Sequence, residues 1–494
     1  MGIVPKEFKT QQIVPVFKKG LKVSPKNYRP ISLTPHIIKI FERVIRSKLV
    51  KYFELNNIIN CNQHGFRKTR SCLTQLLSHT TYILENLVNG NDVDTIYLDY
   101  AKAFDKIDHQ ILLSKLKFYK LPVGYLNWIK NFLTERVKFV FLNNARSYES
   151  VVRSGVPQGS VLGPLLFILF INDLVDNIKS SQIYTFADDT KIVHPIGSSS
   201  DFCSLQGDLN AVIEWSTMNN MQLNKDKFEL ISHSVHNNID SIETFNKLPF
   251  HSTYQAYNTG DDYVFPTTVV RDLGLFINSH LNWDDHISKL CKVGRQISGW
   301  ILNVFFSRKS DVLITLFNSL VRSRLEYVCQ VWDPIKINQI DALEDIQRRF
   351  TSKFTDSRNL NYWERLTKFK MMSLQRRREK LTILFVWRIK YNRAPNVINL
   401  IFVKTITRSS ERALVKPMPK VGGSLLTLYE NSFAVKAAKL WNKLPVKITK
   451  IDSFNAFREK LDTLLELYPD KPPVRGYYHT NSNSLLEYKT VNSV

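Results

Sequence analysis

Cysteine is scarce in this chain: five residues among 494, at positions 61, 72, 203, 291 and 329, with no CxxC pair. That scatter supports neither a disulfide framework nor a zinc finger, and it points to reduced thiols in an intracellular setting, nuclear or cytoplasmic. Long apolar runs are missing as well. The most apolar, VLGPLLFILFI at 161–171, contains Pro164 and runs into Asn172 and Asp173. It falls well short of the roughly 20 residues that a bilayer-spanning helix needs, so a buried helix is expected and no membrane partner. The N-terminal MGIVPKEFKT has no apolar signal-peptide core, and Lys6 stands where a myristoylation signal requires Ser or Thr. Acidic residues are in deficit, 44 Asp plus Glu against 68 Lys plus Arg, for a formal net charge of +24. Such an excess favours a polyanionic partner, nucleic acid before an anionic membrane.

What is present suffices for packed cores: 44% hydrophobic and 12% aromatic residues exclude global disorder. The length implies two to four domains or subdomains. IVPVFKK at 13–19 reads as a strand, and PHIIKIFERVIRSKLVKYFEL as a helix in which Ile37, Ile40, Phe41, Val44 and Ile45 recur at helical spacing. DTIYLDY reads as a strand, followed by a bend and a helix that Asp108 would cap. SGVPQGS is a Gly/Pro loop feeding the apolar helix, YTFADDTKIV a β-hairpin, and DLNAVIEWSTMNNMQLN an amphipathic helix. Residues 232–262 read as a loop or small insertion, and DLGLFIN at 272–278 as a short strand. Helical patterns dominate beyond residue 281, and the last twenty or so residues look frayed.

Three of these segments share a chemical logic. An apolar strand ends at Asp99; Gly155 and Gly159 let backbone approach a ligand closely, with Pro157 stiffening the turn; and Asp188 and Asp189 sit at a hairpin tip. Adjacent carboxylates disfavour each other's ionisation unless a cation opposes them. A lone Asp pair is better read as a surface turn. Joined to Asp99 on a neighbouring strand, it could hold two divalent ions roughly 3.5–4 Å apart, the arrangement that serves in-line displacement at phosphorus.

In order and spacing, these segments resemble the palm motifs of reverse transcriptases, in particular the jockey-type, non-LTR (LINE-type) retrotransposon enzymes. NYRPISLTPHIIKIFERVI and QHGFRKTRSC resemble the fingers motifs, YLDYAKAFDKIDH motif A, and SGVPQGSVLGPLLFILFINDL motif B. FADDT resembles motif C and MNNMQLNKDKFELI motif D. VRDLGLFINSHLNWDDHI, LEYVCQVWDP and IDALEDIQRRF are similar to the segments that follow, so the likeness covers about residues 10–395.

The resemblance implies an α+β right-hand polymerase. Fingers would occupy 1–93 and the palm, with an antiparallel sheet, 94–280. A basic helical thumb would follow at 281–395 and a C-terminal extension at 396–494. It implies RNA-templated addition of dNTPs to a DNA primer 3′-hydroxyl, with two Mg²⁺ ions (Mn²⁺ able to substitute) held by Asp99, Asp188 and Asp189. Phe104 stands at the steric-gate position that excludes a 2′-hydroxyl, and Gln158 and Gly159 at the motif B pair beside the incoming nucleotide. Arg29 and Arg67 would hold triphosphate or template phosphates, where guanidinium offers forked hydrogen bonds. Lys227 matches a motif D lysine that protonates the leaving pyrophosphate. Asp105 reads as structural.

Residues 341–394 carry 14 Lys or Arg against 6 Asp or Glu, and Arg348, Arg349, Arg376, Arg377 and Arg378 are the candidate nucleic-acid contacts there. Full elements of this type place an endonuclease before the polymerase. With fingers motifs starting almost at Met1, a truncated copy is expected, and a catalytically inactive or domesticated RNA-binding derivative is the alternative. A group II intron maturase shares the palm, but LEYVCQVWDP favours the retrotransposon.

Overall fold

The computed structural model describes residues 3–234, 256–260, 262–404, 411–414, 416–473 and 483–487. They form two compact units. One takes residues 3–71, 94–230 and 256–266, the other 72–93, 231–234 and 267 onward. The helix Cys72–Val88, expected among the fingers, therefore belongs with the C-terminal half of the chain. Most of the segment expected as an insertion at 232–262 lies outside the described residues.

In the first unit the chain opens with β1 (Thr10–Phe17) and β2 (Tyr28–Leu33), an antiparallel pair, followed by α1 (His36–Leu55). α1 forms where the periodicity placed it, but of the apolar residues that mark it only Ile45 packs on the core. Ile37, Ile40, Phe41 and Val44 are each more than half exposed, and Ile38, Glu42, Leu49 and Phe53 are buried instead. The strand β3 (Asp92–Leu98) leads through the single helical turn α2 (Ala103–Lys106) into α3 (His109–Phe118). The Asp108 carboxylate accepts from the Gln110 and Ile111 amides, the cap that the sequence suggested. α4 (Val123–Leu133) follows, and then β4 (Arg136–Leu142), which pairs in parallel with β1.

The apolar run becomes α5 (Gly163–Phe170), with a proline in its first turn, where a missing N–H costs nothing. Leu165 to Phe170 are each 1% exposed or less, so this helix is the centre of the unit's core. Truncating one of its phenylalanines to alanine would cost about 3–5 kcal/mol. Its length and burial match the buried-helix reading. No helix among the described residues is long and apolar enough to cross a membrane. A buried carboxylate fixes its entry: Glu42 Oε2 accepts from the Val161 and Leu162 amides at 2.6 and 2.9 Å.

After α5 come β5 (Gln182–Phe186) and β6 (Asp189–Ile196), the expected hairpin, and then α6 (Ser199–Met218). A four-stranded sheet runs in the order β5, β6, β3, then Glu229–His233. β6 thus lies beside β3.

In the second unit, DLGLFIN is not one strand but a hairpin, Val269–Asp272 paired with Leu275–Asn278. Leu273 (φ +44°) and Gly274 (φ +88°) make its two-residue turn, a conformation that period-2 hydrophobicity cannot reveal. The rest is largely helical, with Ile383, Val386, Trp387, Ala437, Trp441, Phe457 and Leu461 in its core. Of the tail expected to fray, residues 483–486 are packed. Asn483 is buried and its Nδ2 donates to Asp470 at 2.7 Å, while Glu379 accepts from the Leu485 amide.

Candidate active site

Asp99 follows β3 directly and is held by main chain on its flank. Its carbonyl accepts from Asn224 N–H at 2.8 Å, Ala101 N–H donates to Gln222 O at 2.8 Å, and Tyr100 bridges to Leu223. This splint aligns the segment 222–224 with the residues after β3, a few residues before Lys227. The Lys227 ammonium donates to Asp99 Oδ2 at 2.7 Å, both groups being partly exposed.

Asp188 occupies the second position of the two-residue turn between β5 and β6, after Ala187 at φ +58°. Burial pushes the Asp188 carboxyl above its ordinary value, and the negative charge of Asp99 pushes it further. Its own backbone N–H, Arg29 and Lys18 act in the opposite sense. Asp188 therefore sits within the field of Asp99 and of the cations Arg29, from β2, and Lys18, just past β1. Two hard carboxylates whose mutual charge is only partly neutralised are a donor set that fits a divalent cation of the Mg²⁺ class. Asp189, the third expected ligand, is exposed at the start of β6. Among the described residues, no three or more His, Cys, Asp or Glu side chains gather closely enough to hold a metal. Thus the electrostatics couple the first two members of the expected carboxylate set, and the three do not form one cluster.

The motif B loop is pinned from two sides. Gly155 N–H donates to Ile107 O at 2.8 Å, Val156 N–H to Phe104 O at 2.9 Å, and Ser154 Oγ to Asp105 O at 2.9 Å. Gln158 Nε2 donates to Asp105 Oδ1 at 2.9 Å, which gives Asp105 its structural role. On the other side Ser32 N–H donates to Gln158 O at 2.7 Å. Gly159 is at φ +114°, and a Cβ there would lie 2.6 Å from Ser32 O, so only glycine fits. The Phe104 ring stacks on Phe167 with centroids 4.5 Å apart and meets Phe66 edge-on at 6.3 Å. It is a half-buried plate fixed to the core helix α5.

Arg67 is not available as a phosphate ligand in this arrangement. Its fork binds Glu54 at 3.0 and 2.7 Å, its Nη1 donates to Asn60 O at 2.7 Å, and its side chain is only 10% exposed. Nothing in the local pattern marks Glu54, thirteen residues earlier, as its partner.

In the second unit, the QRRREK run proves mostly internal. Arg376 and Arg378 are buried, the first donating to Pro469 O and Asn483 O, the second paired with Asp333 at 2.6 Å. Lys436 shares Asp333 from the other side, also at 2.6 Å. Arg377 is forked onto Glu326. Arg348 and Arg349 both pair with Asp345, and only Arg349, 69% exposed, keeps its charge at the surface. The reading of these five as nucleic-acid contacts fails for Arg376 and Arg378, because a helix that supplies core residues on most of its faces buries its arginines with them. Lys18 and Glu42 were not singled out from sequence. Lys18 had one signal, a Lys–Lys pair closing a strand; Glu42 had none.

Residues 16–252 match the family described as Reverse transcriptase (RNA-dependent DNA polymerase). The chain is 27% identical over 362 residues to a probable RNA-directed DNA polymerase from transposon X-element of Drosophila melanogaster, covering 71% of this chain and 38% of that protein. It is 27% identical over 364 residues to the RNA-directed DNA polymerase from mobile element jockey of the same species, again covering 71% and 38%. The chain therefore spans well under half the length of these curated relatives. Among solved structures, telomerase from Candida Tropicalis in complex with a TWJ fragment of telomeric RNA superposes with a TM-score of 0.43 at 12% identity, over 94% of this chain and 65% of that one; no conclusion rests on so distant a likeness. Residues 16–252 are thus similar to reverse transcriptases, and the relatives that the chain resembles are RNA-directed DNA polymerases of transposons and of the mobile element jockey.

Proposed function

We propose that the chain is an RNA-directed DNA polymerase, extending a DNA primer on an RNA template with dNTPs. The observation that carries this reading is that β6 runs beside β3 in one sheet, with Asp188 in the turn before β6 and Asp99 just past β3, and that the Lys227 ammonium donates to Asp99 Oδ2. In the reaction the primer 3′-oxygen forms a bond to the α-phosphorus of the dNTP, the bond from that phosphorus to the bridging oxygen breaks, and pyrophosphate leaves. Asp99 and Asp188 would hold two Mg²⁺ ions, with Mn²⁺ able to substitute and Asp189 close in sequence; when bound, they supply the positive charge that activates the hydroxyl and offsets charge at phosphorus.

The chain's own residues do the rest. Arg29 and Lys18 would meet the triphosphate charge, and Lys227 would give a proton to the departing pyrophosphate. Phe104, stiffened by Phe167, is the plate on which the deoxyribose rests and against which a 2′-hydroxyl would collide. The motif B loop sets Gln158 between Asp105 and β2. Template and primer backbones would be held by the basic excess without sequence readout, so binding should fall steeply with salt. Fingers, palm and thumb are the parts we assign to this work.

Primer extension on poly(rA)/oligo(dT) is the test. Incorporation of dTTP that disappears in Asp188→Ala supports the enzyme. Salt-sensitive RNA binding without incorporation by the unaltered chain would replace this reading with that of an RNA-binding derivative.

A further inference from the structure

The turn that presents Asp188 is braced by a segment outside its own hairpin. Ala187 sits in the left-handed region at φ +58°, which for an L-residue other than glycine is strained by about 1 kcal/mol. A non-glycine residue in this region persists where its surroundings hold it. That support comes from residues 62–65. Thr185 N–H donates to Asn62 O at 3.2 Å and His64 N–H to Thr185 O at 2.9 Å, so the segment runs as a short parallel edge beside β5. At its centre is Gln63, 3% exposed.

The Gln63 side chain turns the edge into a clamp. Its Oε1 accepts from Ala187 N–H at 2.9 Å and from Gly65 N–H at 2.7 Å. Only the carbonyl end of the carboxamide can accept two N–H bonds, so the orientation of the group is settled by its neighbours. The fit leaves no slack. A Cβ on Gly65 would lie 2.4 Å from Ala187 N, so the loop backbone rests directly on the tip. One buried oxygen thus fixes the amide immediately before Asp188.

From this geometry we infer that Gln63 is a positioning residue for the polymerase centre: it holds the Ala187–Asp188 turn in the strained form that sets the Asp188 carboxylate against Asp99. The inference rests on the reading of Asp99 and Asp188 as the metal-binding pair. Gln63 touches neither substrate nor metal; it acts through Ala187.

Three variants of the full chain test it. Gln63→Met keeps bulk and removes the acceptor. Gln63→Glu keeps an acceptor oxygen in either protonation state. Gly65→Ala leaves Gln63 intact and pushes a methyl against the tip. The expected result for Gln63→Met is Mn²⁺ binding, followed by electron paramagnetic resonance, weakened about tenfold, the scale of one lost buried hydrogen bond. kcat for dTTP incorporation should fall at least as far, with KM for template–primer changed less than about twofold. Gln63→Glu should recover most of both. A folded Gln63→Met chain with unaltered Mn²⁺ affinity and kcat overturns the inference, as does a Gln63→Glu chain no better than Gln63→Met, which would mean that Gln63 only packs. If Gln63→Met does not fold, Gly65→Ala is judged by the same two readouts. Should the unaltered chain incorporate nothing, the polymerase reading has failed separately. Hydrogen exchange at the Ala187 amide then judges the clamp alone: it should quicken about tenfold in Gln63→Met, and unchanged exchange refutes it.

Discussion

Gly159→Ala isolates the docking of the motif B loop on β2. An alanine at φ +114° carries about 1–3 kcal/mol of backbone strain, because this region lies beyond the left-handed well that other L-residues tolerate. The new methyl would stand 2.6 Å from Ser32 O, well inside ordinary contact. Ser32 belongs to β2 and its carbonyl cannot swing aside without disturbing that strand, so the loop must retreat. Retreat stretches the 2.7 Å bond from Ser32 N–H to Gln158 O, costing a further net amount of about 1 kcal/mol. The sum, about 2–4 kcal/mol, should appear as a lower unfolding midpoint for the first unit in calorimetry or guanidinium titration. Incorporation of dNTPs should fall with it, since Gln158 leaves Asp105. Gly207→Ala is the control. Gly207 is exposed within α6 with nothing near its would-be Cβ, so alanine there should stabilise by up to about 1 kcal/mol and leave activity alone. A Gly159→Ala chain as stable and active as the parent would show that the loop is not pinned to Ser32.

Phe104→Val should raise ribonucleotide use relative to dNTP use by an order of magnitude or more, measured by competing rUTP against dTTP; unchanged sugar discrimination would remove Phe104 from the gate role. Asp188→Asn should raise the melting temperature of the metal-free chain while abolishing incorporation. A carboxyl raised in the folded state withdraws stability as pH climbs above its ordinary value of 3.8, so the gain should be absent near pH 3, grow as pH rises through the raised value and hold at neutrality. A variant less stable than its parent at pH 7 would contradict that. Arg378→Ala should cost about 3–5 kcal/mol in thermal or denaturant unfolding, because it leaves Asp333 buried beside Lys436 alone. Arg349→Ala should leave stability within about 0.5 kcal/mol and lower the slope of log affinity for RNA against log salt by about one. Equal stability effects from the two arginines would refute the division into buried and surface charge.

Much of this protein is written locally. The order YLDYAKAFD, SGVPQGS and FADD, the strand before Asp99, the Asp108 cap, the hairpin around 187–188 and the burial of α5 all follow from short-range pattern, because turns, caps and apolar runs are decided within a few residues of chain. Which side of α1 meets the core was not legible, since that helix carries two apolar stripes and only packing chooses between them. Nor was the fate of individual charges. Arg67 is claimed by Glu54, Arg376 and Arg378 are drawn inside, and Lys227 is brought onto Asp99. A charged side chain takes its role from the opposite charge and the solvent that the fold leaves beside it, and those neighbours come from distant parts of the chain. Composition alone established that the protein is basic; tertiary structure decided which of its cations remain free to meet a polyanion.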